Sequence, residues 1–77
     1  MKTKYKHIHF VEALSDDAQP DYLCYNKSDE VLGWIEYYFP WRQYVFSTKA
    51  KEMVFSKSCL QDIEHFITQV EQSKEAE

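Results

Sequence analysis

The sequence predicts an α+β fold: an antiparallel sheet of four to five short strands with one C-terminal amphipathic helix packed on one face. Two observations support this prediction. Short segments of alternating apolar and polar residues, separated by turn-forming residues, occupy most of the chain, and apolar residues recur at helical spacing near its C-terminus. The length of 77 residues leaves room for a single domain, which we expect to have an ordered body over residues 5–72 and a frayed tail over residues 73–77.

A polar loop separates the first two predicted strands. The first strand covers residues 5–13, and the second covers residues 22–25. The loop between them, residues 15–21, contains a proline and several polar residues, so we expect it to be the most mobile connection. The turn-forming residues 26–29 end the second strand. Alternation predicts two faces for the first strand, with Ile8 and Phe10 on one face and His7, His9 and Val11 on the other.

The strongest strand signal is the aromatic segment VLGWIEYYF, residues 31–39. Pro40 ends this strand because proline cannot donate to the hydrogen-bond ladder of a sheet. Residues 44–47 return as its hairpin partner. A last short strand is predicted over residues 53–55, after the charged turn 48–52.

Gly33, the only glycine of the chain, lies inside the aromatic strand. A glycine in this position indicates either a bulge or an aromatic ring that lies over the backbone. Alternation assigns the residues around it to two faces, with Gly33, Ile35 and Tyr37 on one face and Trp34, Glu36 and Tyr38 on the other.

The C-terminal helix is predicted from one apolar stripe. Ser58 and Gln61 have the spacing of a capping box, which satisfies backbone donors at the start of a helix. The stripe that follows spans about four turns and consists of Leu60, Ile63, Phe66, Ile67 and Val70. We expect it to pack on a sheet face that carries Ile8, Phe10, Ile35, Tyr37, Tyr44 and Phe46. The opposite face of the helix is polar, with Asp62, Glu64, His65, Gln69 and Glu71.

Composition argues against several classes of function. The net charge of −4 disfavours a general duplex DNA binder, which needs clustered lysine and arginine. One glycine is too few for P-loop or dinucleotide-binding motifs, which need several. No apolar run approaches the roughly 18–20 residues of a membrane span. We expect no signal peptide, because lysines and His7 lead into a strand rather than into an apolar segment. We therefore expect a soluble protein that is cytoplasmic and has no membrane partner.

The cysteines and histidines form no recognisable catalytic or metal-binding motif. Cys59 and His65 are six residues apart on one helix, so they face different directions. His7 and His9 share a strand face, and Cys24 is a third candidate ligand, but a zinc site needs three or four ligands. We expect both cysteines to be reduced thiols, and we expect no enzymatic activity, no cofactor and no bound metal.

The feature that favours a function is a cluster of aromatic residues around the only arginine, Arg42. Alternation requires about half of these rings to face the helix, so Trp34, Tyr38 and Trp41 are left to face solvent or a partner. Tryptophan, tyrosine and arginine are enriched in binding hot spots. We therefore predict Trp34, Tyr38, Trp41 and Arg42 as binding residues. In the alternative interpretation, the rings only cover a thin core and Arg42 pairs with Glu36.

Two segments carry a resemblance to a known family. LGWIEYYFPWRQYVF, residues 32–46, and CLQDIEHFI, residues 59–67, are similar to a family of small uncharacterised proteins of bacteriophages and mobile elements. Its pattern is roughly L-G-x-I-x-aromatic-aromatic-x-x-W-R-x-Y-x-F, followed by a C-L-x-D-I-x-x-F-I helix. The chain departs at Phe39-Pro40, where other polar or small residues can stand. The resemblance implies a phage or prophage setting, and it brings no active site with it.

The leading hypothesis from the sequence is a non-enzymatic protein that binds a host protein through the aromatic hairpin. Many such phage accessory proteins block host factors, including components of antiviral defence, so the resemblance implies this class of partner. The alternative hypothesis is a binder of a small ligand, nucleotide or single-stranded nucleic acid, which uses the same rings with Arg42 and the N-terminal lysines. A purely structural role comes third, and a homodimer is left open.

Overall fold

The computed structural model describes residues 1–13 and 19–75, with side chains up to residue 73, and it has the predicted α+β architecture. Four strands pair in chain order, each antiparallel to the next. Such an arrangement needs only short connections between neighbouring strands. The elements are β1 (Ile8–Ala13), β2 (Asp21–Asn26), β3 (Val31–Tyr38), β4 (Gln43–Thr48) and the helix α1 (Lys57–Glu75).

The helix covers one face of the sheet, here called the inner face. Phe66 is fully buried at its centre. The Phe66 ring stacks on Phe10 with centroids 4.1 Å apart and meets Tyr22 edge-on at 5.1 Å, and such ring pairs stabilise a core beyond the area they bury. The other buried apolar side chains of the described residues are Ile8, Cys24, Ile35 and Tyr44 from the strands and Ile63 and Val70 from the helix.

Leu60 lies outside this core, contrary to the prediction, and 53% of it is exposed. The buried stripe of α1 continues instead through Cys59, which packs against the core. Because Cys59, Ile63, Phe66 and Val70 follow one another at intervals of four, three and four residues, they share one helical face. Leu60 falls beside that face.

The helix begins two residues earlier than predicted. Ser56 is the N-cap residue, since its Oγ accepts a hydrogen bond from the Cys59 backbone N–H (3.2 Å) and its carbonyl accepts one from Leu60 N–H (3.0 Å). The predicted capping box of Ser58 and Gln61 is therefore wrong. Ser58 lies inside the first turn, where its Oγ is 3.0 Å from the Ser56 Oγ.

The predicted last strand over residues 53–55 is also wrong. Within the described part of the chain, these residues belong to no strand and lead from β4 into the helix. Phe55 packs edge-on against Phe46 with centroids 5.6 Å apart, whereas Val54 is 99% exposed. Because Phe55 faces inward and Val54 faces solvent, the segment has the alternating pattern of a strand although it pairs with no strand of the described chain.

Both features that Gly33 indicated are present. Cys24 pairs with Gly33 but Tyr25 pairs with Val31, so Leu32 is the extra residue of a bulge. A Cβ on Gly33 would lie 2.8 Å from the Phe46 ring carbon Cζ and would also meet the Ser47 carbonyl oxygen. Only glycine therefore fits beneath the Phe46 ring.

The first strand is shorter than predicted because the N-terminal arm, residues 2–5, folds back along it. Tyr5 N–H donates to the Ile8 carbonyl and Phe10 N–H donates to the Thr3 carbonyl, both at 2.9 Å. Gln69 of α1 accepts from Lys2 N–H (2.7 Å) and donates to the Lys2 carbonyl (2.8 Å). The arm thus bridges the β1 edge and the helix. Most of the predicted mobile loop and the end of the predicted tail lie outside the described residues.

Candidate functional site

The outer face of the sheet, opposite the helix, is covered by no described helix or strand. Its residues are nevertheless largely apolar. Val11 pairs with Leu23, and Leu23 pairs with Trp34, so these three side chains form a row across three strands. Val11 is 46% exposed, while Leu23 and Trp34 are half-buried. An exposed sheet face is usually polar, so this apolar row is unusual for a face that no described helix or strand covers.

Trp34 lies at the centre of the outer face. Its indole Nε1 donates a hydrogen bond to the carboxylate of Glu36, two residues further along β3. Both side chains are on the same face because side chains alternate along a strand. Glu36 in turn pairs with Val45 on β4. The contact therefore holds the indole and the carboxylate in one orientation next to the β3–β4 hairpin.

The hairpin turn carries the most exposed rings of the surface. Trp41 is 66% exposed and Tyr38 is 38% exposed, and their rings meet edge-on with centroids 5.0 Å apart. The turn is closed by hydrogen bonds from Trp41 N–H to the Tyr38 carbonyl and from Arg42 N–H to the Phe39 carbonyl, both 3.1 Å. Arg42 has a φ of 52°, a left-handed conformation that costs a non-glycine residue about 1 kcal/mol.

A concavity of about 230 Å³ lies between the hairpin and the outer face. The Tyr38 and Trp41 rings line one part of it, and the carboxylate-bearing Glu36 lines another. Its remaining lining residues, all on β4, are Val45, Phe46 and Ser47. The concavity thus combines aromatic walls, an apolar floor and one acidic group. We call Trp34, Tyr38, Trp41, Arg42 and the lining residues of this concavity the hairpin surface.

The four predicted binding residues are only partly brought together. Tyr38, Trp41 and Arg42 lie in or next to the turn, whereas Trp34 lies earlier in β3 and is connected to the concavity only by its hydrogen bond to Glu36. The predicted alternative, in which Arg42 pairs with Glu36, is not found among the described residues. Arg42 is exposed.

The N-terminal lysines lie far from Arg42. Lys4 forms a bridge with His9 on the β1 edge, and it lines a second concavity of about 310 Å³. That concavity is also lined by Tyr5, Ile8, His9, Lys27 and Asp29. This second concavity lies at the β2–β3 turn. Arg42 lies at the β3–β4 turn, which is at the opposite end of the sheet. One small ligand cannot touch both groups.

The thiols and imidazoles are separated by the sheet and the helix. His9 stacks on Tyr25 on the outer face, with centroids 5.3 Å apart. Cys24 faces the core, where burial, with a further contribution from Cys59, raises the pKa of its thiol to about 12. A neutral buried thiol is a poor nucleophile and a poor metal ligand. His65 contacts the Tyr5 hydroxyl through Nδ1 at 2.8 Å, while Cys59 is partly buried and packs against the core.

Sequence reasoning missed several residues of the hairpin surface and the rim beside it. Val45 and Ser47 line the concavity, and Phe39 is 59% exposed at the turn, where its ring meets Tyr37 edge-on at 5.0 Å. Alternation along β4 would have placed Val45 and Ser47 on the outer face, because Tyr44 and Phe46 occupy inward positions. For Phe39, the adjacent proline was the available signal of a turn.

Comparison with known proteins gives no match to a family model, to a curated protein or to a solved structure. No helix in the described part of the chain is both long enough and apolar enough to cross a lipid bilayer.

Proposed function

We propose that this chain is a non-enzymatic binding protein of phage or prophage origin, which acts by binding a host protein through the hairpin surface. The observation that carries the proposal is the exposed Tyr38–Trp41 pair next to an apolar concavity. Large rings left in water forgo the free energy that their burial would release. A partner that covers them recovers this free energy, which is why such rings dominate binding hot spots.

The arrangement of charge supports a protein partner over a small anionic ligand. Arg42 is exposed beside the rings, but the nearest charged group of the concavity is the Glu36 carboxylate, which would repel a phosphate. The N-terminal lysines are at the other end of the sheet. A single-stranded nucleic acid could use both basic regions only by crossing the outer face between them. The setting in a host cell, and a defence component as the partner, come from the family resemblance.

The test is affinity capture of host proteins by the immobilised chain, followed by mass spectrometry. Trp41→Ala should weaken the captured complex by about 2 kcal/mol or more, as expected for a hot-spot residue. The same substitution should change the free energy of unfolding by less than about 0.5 kcal/mol, because the ring is exposed. Leu60→Ala is the matched control, since it removes an exposed apolar side chain from the opposite layer and should leave capture unchanged.

The salt dependence of the purified complex separates the two classes of partner. A nucleic-acid complex weakens steeply with added salt because counterions are displaced from phosphates, and Arg42→Gln would then reduce the slope. An interface centred on the rings should respond only mildly to salt. If Trp41→Ala binds its partner normally but melts early, the rings belong to the core and its rim, and the proposal fails.

A further inference from the structure

The two edges of the sheet differ in how they are protected. At the β1 edge, the N-terminal arm supplies backbone partners, since Thr3 accepts from Phe10 and Tyr5 donates to Ile8. At the β4 edge, the described residues provide no backbone partner other than β3. An edge strand without a partner presents a row of free N–H and C=O groups to solvent, which is a template for another strand.

The sequence of β4 contains none of the usual defences of an exposed edge. Proteins commonly protect such strands with charged residues, proline or a bulge. The six residues QYVFST of β4 include no charge and no proline. They pair with β3 in an unbroken register from Tyr38–Gln43 to Gly33–Thr48. The outward backbone of β4 is therefore regular over its whole length and suited to strand addition.

Positive charge brackets this open edge. Residues 37–51 contain Arg42 before β4 and Lys49 and Lys51 after it, and no acidic residue. This segment has a charge of +3 in a chain of net charge −4, so the other residues together carry −4 − 3 = −7. A second copy added at β4 would bring arginine and lysine ends against one another in either strand direction. The same ends would attract an acidic segment.

The hairpin concavity adds a requirement for the centre of such a segment. An added strand projects alternate side chains over the outer face, and the concavity is lined there by Val45, Tyr38 and Trp41. Glu36 lines it too, so an acidic side chain at this position would be repelled. The side chain that enters the concavity is therefore apolar, and the acidic residues of the partner lie towards the two ends.

We propose that β4 binds an extended segment of a partner protein as a fifth strand, with an apolar centre seated in the hairpin concavity and acidic residues at both ends. This inference rests on the proposed function, because it defines the partner chemistry of the same hairpin surface. Pairing of main chains supplies the bulk of the contact, and the concavity and flanking cations select the sequence.

The proposal is tested with synthetic peptides of alternating valine and threonine, capped at both ends by glutamates, added to the isotope-labelled chain. Amide hydrogen exchange by NMR should become slower at β4 and stay unchanged at β1. Glutamate-capped peptide should bind about tenfold more tightly than lysine-capped peptide. A glutamate-capped peptide that is N-methylated at alternate amides should lose binding, because it cannot complete the ladder.

Charge-reversed variants identify the cations. Lys49→Glu with Lys51→Glu should invert the preference between the two peptides, whereas Lys27→Glu, an exposed lysine at the β2–β3 turn, should not change it. Absence of β4 protection at millimolar glutamate-capped peptide, or equal binding of the N-methylated peptide, overturns the proposal. So does protection of β4 that appears with rising protein concentration alone, since a second copy then occupies the edge. If a host protein is captured through Trp41 while β4 stays unprotected, the proposed function stands and only strand addition fails.

Discussion

The two faces of the sheet contain similar residue types but use them differently. On the inner face, the Phe66, Phe10 and Tyr22 rings are buried against one another beneath the helix. On the outer face, Tyr38 and Trp41 also meet edge to face, yet both remain exposed. Both faces therefore contain aromatic rings in contact, and they differ in whether those rings are buried. Removal of a ring should unfold the protein on one face and weaken binding on the other.

The largest expected effect is on the inner face. Phe66→Ala should lower the free energy of unfolding by about 3–5 kcal/mol, because it empties a fully buried aromatic position. In a domain of this size, such a loss is a large share of the total free energy of unfolding. Leu60→Ala on the same helix should cost much less, since Leu60 is 53% exposed. Chemical denaturation measures both, and equal losses would contradict the assignment of the two residues to different surroundings.

Alkaline pH should also act through the inner face. Burial raises the pKa of Tyr44 and of Cys24 to about 12, from ordinary values of 10.0 and 9.0. The unfolded chain therefore loses these protons first, and the stability that the neutral groups contribute is lost as pH rises from about 9 towards 12. Tyr44→Phe should flatten the decline in denaturation midpoint with pH. Tyr38→Phe removes a hydroxyl from an exposed ring and is the matched control; an equal flattening in this variant would contradict the assignment to Tyr44.

A smaller effect is expected where the N-terminal arm meets the helix. Gln69→Ala removes both hydrogen bonds to Lys2 and one to the Tyr5 hydroxyl (3.2 Å). The loss should be about 1 kcal/mol, since exposed hydrogen bonds contribute little net stability. Exchange of the Phe10 amide, which donates to the arm, should become faster. Gln61→Ala makes the same chemical change on an exposed part of α1. If the Phe10 amide exchanges equally fast in this control, the substitutions affect the helix and not the arm.

The smallest expected effect concerns the histidines. His7→Ala combined with His9→Ala should leave the fold intact, with a loss limited to the stacking of His9 on Tyr25, worth about 0.5–1.5 kcal/mol. Purified protein should contain no stoichiometric zinc, because Cys24 faces the opposite side of the sheet from His9. Elemental analysis that finds one zinc per chain would overturn this expectation.

Much of the fold follows from local patterns in the sequence. Alternation along a strand directs neighbouring side chains to opposite faces, whichever strand lies beside it. It therefore assigned Ile8, Phe10 and Ile35 to one face of the sheet. It assigned Val11 and Trp34 to the other. It also left Trp41 and Tyr38 for the outer surface, where they are exposed. The helix was predicted for the same reason, since a stripe of apolar residues is a property of one segment.

Other features depend on how distant segments meet, and only the tertiary structure decided them. Residues 53–55 have the pattern of a strand but no neighbour to pair with. His65 and Gln69 were assigned to the polar face of the helix, yet they hydrogen-bond to the N-terminal arm, sixty or more positions away. The pairing of Trp34 with Glu36 and the concavity beside it depend on strand register and on the conformation of the hairpin turn. Alternation determines the face on which a residue lies, but the contacts it makes there depend on the packing of the whole chain.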